Sequence, residues 1–142
     1  MNNIQLIVFD IAGTTVKDNG EIATAFWMAL KEYGYLVPTN KINALMGYKK
    51  PEAIRKMVEE YEQNKERISD DYINAIHERF LELMIEHYQT VKEIVPLPNV
   101  REVFSFLKEN KIKIGLDTGF SKNITDVILN RLNWVDNNVV DY

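Results

Sequence analysis

The sequence has 142 residues, with 17 basic and 21 acidic side chains and a formal net charge of −4. Its length is that of about one domain, and its mild acidity argues against a nucleic-acid partner or a polybasic membrane-surface protein. The absence of cysteine excludes disulfides, thiolate nucleophiles, zinc ribbons and iron–sulfur clusters. The N-terminus lacks a signal-peptide pattern, and no apolar run approaches the ~18–20 residues needed to cross a bilayer. The sequence therefore predicts a soluble, cytoplasmic protein with neither nucleic acid nor membrane as its partner.

The chain opens with a short apolar run, residues 4–9, which ends at Asp10. A short run bounded by turn residues is typical of a strand buried on both faces of a parallel sheet. Small residues, 11–15, follow Asp10 and predict a loop. Ligands of open α/β sheets bind just outside the carboxyl ends of the strands. Asp10 therefore occupies a position where a ligand is expected.

The middle of the chain has a different period. Apolar residues recur at helical spacing from Glu21 to about residue 88, which predicts a segment that is helical throughout. Gly34 stands where the first of these helices should end, and Pro51 suits the first turn of a later one. Ser69 is a candidate N-cap for the longest helix.

Strand signals return in the last third of the chain. Asn99 can cap a helix whose inward face includes Val103. Residues 112–117 predict a second strand, and Ser121 can cap the helix that follows it. Residues 139–142 are typical of the opening of a third strand.

Strand and helix alternate at both ends of the chain, which is typical of a parallel α/β sheet. We predict an α/β fold with a parallel-sheet core, residues 1–18 and 94–142, and an inserted helical cap, residues 19–93. Two strands and the start of a third are fewer than the ~5–6 strands of a usual sheet. The core is therefore expected to be incomplete, and the chain to be part of a longer protein.

The loop after Asp10 has the composition of an anion site. Gly13, Thr14 and Thr15 can direct backbone N–H groups and hydroxyls at an anion. A carboxylate and an anion repel each other, so Asp10 is unexpected beside such a site. Its position is explained if Asp10 attacks the phosphorus in aspartyl-phosphate chemistry and a divalent cation offsets the repulsion. An aspartate that only caps the following turn is equally compatible with these residues.

Thr118 and Gly119 follow the second predicted strand, at the edge of the sheet where Asp10 is expected. A hydroxyl and a backbone N–H at this position can bind a phosphoryl group. A threonine and glycine that simply end the strand in a turn remain the alternative.

Two segments resemble motifs of a known enzyme family. Residues 10–16 look like the nucleophile motif of the haloacid dehalogenase (HAD) superfamily of phosphoryl-transfer enzymes, and residues 114–120 look like its second motif. The predicted helical insertion is similar to the superfamily's helical cap. The resemblance implies a HAD-like, Rossmannoid core.

The form Asp-x-Ala-Gly-Thr-Thr is that of the phosphonoacetaldehyde hydrolase (phosphonatase) branch. The usual phosphatases of the superfamily carry a second aspartate, a general acid, at the position of Ala12. The resemblance implies that Asp10 is the nucleophile and that Asp10 and the Ala12 carbonyl bind Mg²⁺. It also assigns phosphate binding to four loop residues, Gly13, Thr14, Thr118 and Gly119.

The segment from Met46 to Lys50 is similar to the Met-Gly-x-x-Lys segment of the phosphonatase branch, in which a cap lysine forms a Schiff base with the substrate aldehyde. The resemblance implies that Lys50 is this catalytic lysine and that Met46 shapes the aldehyde pocket. The neighbouring cation Lys49 is expected to lower the pKa of the Lys50 amine. Two solvated lysines at a helix start, and a methionine in core packing, are the alternatives.

The resemblance implies a Mg²⁺-dependent hydrolase of a small phosphorylated or phosphonate metabolite. One alternative is a phosphoglycolate-type phosphomonoester phosphatase in which Lys50 is only a substrate-binding cation, and another is a non-catalytic helical interaction module. The superfamily's later basic and acidic motifs do not occur within the 142 residues. This chain alone is therefore expected to be almost inactive and to bind Mg²⁺ weakly. The cap helices are a candidate homodimer face.

Overall fold

A computed structural model describes residues 4–142, which divide into two compact units. One unit comprises the N-terminal segment as far as Asn19 together with Tyr88–Tyr142, and the other is Gly20–His87. Tyr88, at the start of the second segment of the first unit, packs its ring edge-to-face on Phe120, and its carbonyl accepts a hydrogen bond from Arg131. The functional domain limits expected from the sequence stay a prediction.

The order of the elements agrees with the predicted α/β fold. In chain order they are β1 (Leu6–Asp10), α1 (Glu21–Glu32), α2 (Thr39–Ala44), α3 (Lys50–Tyr61), a short 3₁₀ helix (Lys65–Arg67), α4 (Asp70–Thr90), α5 (Val100–Glu109), β2 (Lys113–Asp117) and α6 (Lys122–Leu132). Within residues 4–142, no helix has the length and apolarity needed to cross a membrane.

The two strands β1 and β2 are parallel and paired in register, from Leu6 opposite Lys113 to Asp10 opposite Asp117. The prediction that β1 is buried on both faces is wrong in the described chain, because Leu6 and Val8 are 45% and 53% exposed. Side chains of a strand alternate between its faces. The opposite face is the packed one, where the ring of Phe9 lies 5.4 Å from that of Phe104.

The segment predicted to open a third strand runs beside β2, although residues 139–142 do not form a regular strand in the described chain. The N–H of Tyr142 donates to the Ile114 carbonyl, and the Tyr142 carbonyl accepts from Leu116 N at 2.9 Å. The Asp141 carboxylate accepts from Lys108 Nζ at 2.7 Å and from Ile114 N at 2.8 Å. These two bonds hold the pKa of Asp141 below its usual range.

The second unit, Gly20–His87, is helical as predicted, and local signals define its helix ends. Gly34 has a φ of 93° two residues beyond the end of α1, and Pro51 lies in the first turn of α3. The Ser69 hydroxyl caps α4 by accepting from Tyr72 N at 3.1 Å. The largest fully buried side chains of this unit are Phe26, Leu30, Ile42, Ile54, Met57, Ile76, Phe80 and Met84.

Two predicted caps in the first unit differ from expectation. Asn99 and Ser121 do occupy the N-cap positions of α5 and α6, but neither side chain makes a capping hydrogen bond. Asn99 adopts the left-handed conformation with φ 65°, so its backbone turns the chain into the helix. The Ser121 hydroxyl oxygen is buried and finds no partner among the described residues. Val103, expected on the inward face of α5, is 41% exposed.

Candidate active site

Asp10 ends β1 with an exposed carboxylate, and the loop after it is held by a buried threonine. Thr15 is 1% exposed, and its hydroxyl lies 3.0 Å from the Asp10 carbonyl and 3.3 Å from the Ile11 carbonyl. The hydroxyl of Thr14 is on the exposed side and lies 3.4 Å from Asp10 Oδ2. Thr15 thus fixes the backbone that presents Asp10, a role that was not predicted from the sequence. The apolar neighbour Val16, also buried, was the signal that this end of the loop turns inward.

The backbone N–H groups of this loop are used within the loop. Gly13 N donates to the Val16 carbonyl at 2.8 Å. The N–H groups of Thr14, Thr15 and Val16 all donate to the Ile11 carbonyl, at 3.3, 3.0 and 2.8 Å. The expectation that successive N–H groups here are directed at an anion is therefore wrong for this conformation. Gly13 instead supplies the positive φ of 77° that the tight loop requires.

Replacing Thr15 with Val should lower the free energy of unfolding by about 1 kcal/mol, because a buried hydroxyl that bonds two carbonyls is lost at nearly constant volume. Urea unfolding of the two proteins measures the difference. Thr14→Val is the matched control, since the exposed Thr14 hydroxyl makes a single long contact among residues 4–142, and it should change stability by less than about 0.5 kcal/mol. Equal losses in the two variants would contradict the role of Thr15.

The loop after β2 begins at Thr118. Asp117, the last residue of β2, is paired with Asp10 in the sheet, so Thr118 lies at the same sheet edge as Asp10. Thr118 Oγ1 accepts from Phe120 N at 3.2 Å, which forms the turn expected as the alternative. The oxygen is the acceptor in that bond, so the bond leaves the hydroxyl proton unused. Gly119 is exposed, with open space where a side chain would stand. Phosphate binding by Thr118 and Gly119 stays a prediction.

The oxygen atoms of Asp10 and Ala12 are of the chemical type that binds magnesium. Mg²⁺ prefers hard oxygen ligands and usually takes one or two carboxylates, with phosphate oxygens and water completing its shell. The Asp10 carboxylate and the Ala12 carbonyl are ligands of this type. Residues 4–142 contain no group of three or more His, Cys, Asp or Glu side chains placed to hold a metal. Metal binding by Asp10 and Ala12 is therefore chemically reasonable and stays a prediction.

Lys50 lies in the second unit, at the first residue of α3, and its side chain is partly buried. Lys50 Nζ donates to the Met46 carbonyl at 3.1 Å and lies 5.7 Å from the centre of the Phe26 ring. Burial lowers the pKa of the Lys50 amine. A lowered pKa was predicted from the neighbouring charge of Lys49, but the Lys49 side chain is exposed and burial is the cause. The alternative of two solvated lysines therefore fits Lys49 and is wrong for Lys50.

Met46 follows α2 in a turn, and its contact with Lys50 is made by its carbonyl. Its side chain is partly buried, which is compatible both with core packing and with the predicted pocket. The structure thus gathers the predicted residues into two groups, each within one unit. The first unit holds Asp10, Ala12, Gly13, Thr14, Thr118 and Gly119, and the second holds Met46 and Lys50.

A family model described as haloacid dehalogenase-like hydrolase matches residues 7–137. The chain belongs to this family. The phosphonoacetaldehyde hydrolase of Bacillus mycoides (strain KBAB4) is 30% identical to it, over 88% of this chain and 50% of the relative. The chain spans about half the length of the curated relatives it matches.

Solved structures share its fold. A phosphonoacetaldehyde hydrolase-like protein from Oleispira antarctica has a TM-score of 0.69 at 24% identity, over 92% of this chain and 49% of that one. A protein described as a predicted phosphoglycolate phosphatase, from Haemophilus somnus 129PT, has a TM-score of 0.68 at 19% identity, over 89% and 56%. The HAD-like α/β fold expected from the sequence is confirmed.

Proposed function

We propose that the protein containing this chain hydrolyses a small phosphonate in the manner of phosphonoacetaldehyde hydrolase, through an aspartyl-phosphate on Asp10. The observation that carries the proposal is the Lys50 amine, which is partly buried and has a pKa lowered by burial. A lowered pKa leaves more free amine at neutral pH, and the free amine is the form that attacks an aldehyde. The 30% identity to a phosphonoacetaldehyde hydrolase supports the same reaction.

The proposed reaction begins on the aldehyde. The Lys50 amine adds to the carbonyl carbon, and loss of water gives a protonated imine. An Asp10 carboxylate oxygen then bonds to phosphorus while the carbon–phosphorus bond breaks, and the electron pair of that bond moves into the imine to give an enamine. Water hydrolyses the aspartyl-phosphate to release phosphate. Protonation of the enamine carbon and hydrolysis of the imine release acetaldehyde and the free amine of Lys50.

Ala12 is consistent with this leaving group. When a phosphate ester is cleaved, the leaving group is an alkoxide, which needs a proton. When the carbon–phosphorus bond is cleaved, the leaving group is an enamine, which needs no acid at the moment of cleavage. The methyl group of Ala12 has no proton to give. Hydrolases of this family generally use Mg²⁺, and a bound Mg²⁺ would offset the repulsion between Asp10 and the anionic substrate. Asp10 and Ala12 are its proposed ligands, and the threonine and glycine after β2 are proposed to bind the phosphoryl group.

Substrate preference tests the proposal in the protein expressed from the complete open reading frame that contains this chain. With Mg²⁺ present, phosphate release from phosphonoacetaldehyde should be accompanied by an equal amount of acetaldehyde. Phosphonoacetate, which has no aldehyde carbon to form an imine, should release no phosphate. Faster release from phosphoglycolate than from phosphonoacetaldehyde would reject the proposal.

The second candidate is a phosphoglycolate-type phosphomonoester phosphatase. The Phe26 ring, 5.7 Å from Lys50 Nζ, and the Met46 carbonyl, at 3.1 Å, each attract a protonated amine, although burial has the larger effect on the pKa of Lys50. These contacts favour Lys50 as a substrate-binding cation. The third possibility, a non-catalytic helical module, is disfavoured by membership of a hydrolase family. A homodimer through the helical unit and a cytoplasmic location are further parts of the proposal.

A further inference from the structure

An aromatic pair lies beside the Lys50 amine in the second unit, Gly20–His87. Phe26 of α1 is fully buried, and its ring centre lies 5.7 Å from Lys50 Nζ. The same ring stacks on Phe80 of α4, with 4.3 Å between centroids and 28° between planes. Lys50 Nζ also donates to the Met46 carbonyl at 3.1 Å. The amine is thus bounded by an aromatic face and a carbonyl oxygen.

We infer that Phe26 is a positioning residue for Lys50: its ring covers one side of Nζ, keeps water from that side and leaves the amine directed at the Met46 carbonyl. The catalytic meaning of this inference rests on the proposed function. The contacts of Lys50 with Phe26 and Met46 are independent of that function, because all three residues belong to one unit.

Two effects of the Phe26 ring on Lys50 oppose each other. The negative face of an aromatic ring attracts a cation within ~6 Å of the centroid, which favours the protonated amine. The same ring displaces water, which disfavours the charged form. At 5.7 Å the attraction is near the end of its range, so desolvation should dominate, in agreement with the lowered pKa of Lys50.

The charged groups on the surrounding helices do not account for the lowered pKa. The exposed ammonium of Lys49 precedes Lys50, and His77 stacks on Phe80 at 6.2 Å. Six of the other charged side chains on α1, α3 and α4 form the pairs Glu32–Arg79, Glu52–Lys56 and Asp70–Arg55. Burial is the cause of the lowered pKa of Lys50, and the fully buried Phe26 ring lies 5.7 Å from Nζ.

A lysine titration by NMR tests the inference on the 142-residue chain. The chain is labelled with ¹³C,¹⁵N-lysine, and Lys50→Arg identifies the Lys50 signal by its disappearance. Phe26→Ala should raise the pKa of Lys50 by ~0.5 unit or more, because water reaches the uncovered amine. Phe26→Leu, which fills part of the space, should give a smaller rise in the same direction and decides the test if the alanine variant does not fold.

Phe80→Leu is the matched control, because it removes the other ring of the same buried stack. It should lower the melting temperature as much as Phe26→Leu does and leave the pKa of Lys50 in place. An unchanged Lys50 pKa in the folded Phe26 variants, or an equal rise in Phe80→Leu, would overturn the inference.

The titration needs neither substrate nor turnover, so its outcome is independent of the proposed function. A pKa that responds to Phe26, with no imine formed on Lys50, would keep Phe26 as the positioning residue and reject phosphonatase chemistry. An imine on Lys50, together with a Lys50 pKa that does not change in the Phe26 variants, would keep the phosphonatase chemistry and reject Phe26 as the positioning residue.

Discussion

Asp10→Asn, made in the complete open reading frame that contains this chain, is expected to reduce phosphate release by on the order of 10³-fold or more. Asp10 ends β1 with an exposed carboxylate at the carboxyl edge of a parallel sheet, where ligands of such sheets bind. An amide is too weak a nucleophile to form the acyl phosphate. Steady-state phosphate release measures the loss, and ³²P transfer to the protein measures formation of the intermediate.

The control for Asp10→Asn is Asp117→Asn. Asp117 is the register partner of Asp10, is also exposed, and ends the neighbouring strand. The two substitutions remove the same charge from the same edge of the sheet, so a purely electrostatic or structural effect should appear in both. We expect Asp117→Asn to retain most of the activity and its ³²P labelling. Normal turnover in Asp10→Asn, or an equal collapse in both variants, would contradict the assignment of Asp10 as nucleophile.

Local signals in the sequence predicted the helix ends correctly. Gly34, Pro51 and Ser69 act through their own backbone conformation or through bonds to residues within one turn. Such effects need no knowledge of distant chain segments. The order of strands and helices was predictable for the same reason, because the periodicity of apolar residues is also a local property.

Features that depend on what packs against a segment were not predictable. Leu6 and Val8 have the composition of a buried strand, but burial depends on a covering element, and these side chains are exposed in the described chain. The loop after Asp10 has the composition of an anion site, but its N–H groups donate hydrogen bonds to the carbonyls of Ile11 and Val16. In this conformation Thr15 is buried and its hydroxyl bonds the Asp10 and Ile11 carbonyls, and composition does not show that burial.

Lys50 illustrates both cases. Its place at the start of a helix followed from Pro51, a local signal. The cause of its lowered pKa did not, because the covering ring comes from Phe26, on a different helix. Phe26 is one of the apolar residues that recur at helical spacing after Glu21, and that spacing does not show which side chain of another helix lies beside it. A side chain close in sequence, Lys49, was therefore credited with an effect that burial produces.

Lys50→Arg is expected to abolish hydrolysis of phosphonoacetaldehyde, with a loss on the order of 10³-fold or more, comparable to removal of a nucleophile. Arginine keeps the positive charge but does not form imines under these conditions. Cleavage of the carbon–phosphorus bond would then lack the acceptor for its electron pair. The unsubstituted enzyme, treated with borohydride and phosphonoacetaldehyde, should be inactivated and carry a reduced adduct on Lys50, identified by mass spectrometry.

The neighbouring lysine provides the matched control for this last experiment. Lys49→Arg changes an exposed side chain one residue away, so it should retain activity and still be trapped on Lys50.

Because burial lowers the pKa of Lys50, the free amine is present at lower pH than for an ordinary lysine, and trapping should reach half its maximum below pH 10.5, the usual lysine pKa. Full turnover by Lys50→Arg, or an adduct on Lys49 in place of Lys50, would reject the imine and leave the phosphomonoesterase as the better description, with Lys50 acting through its charge.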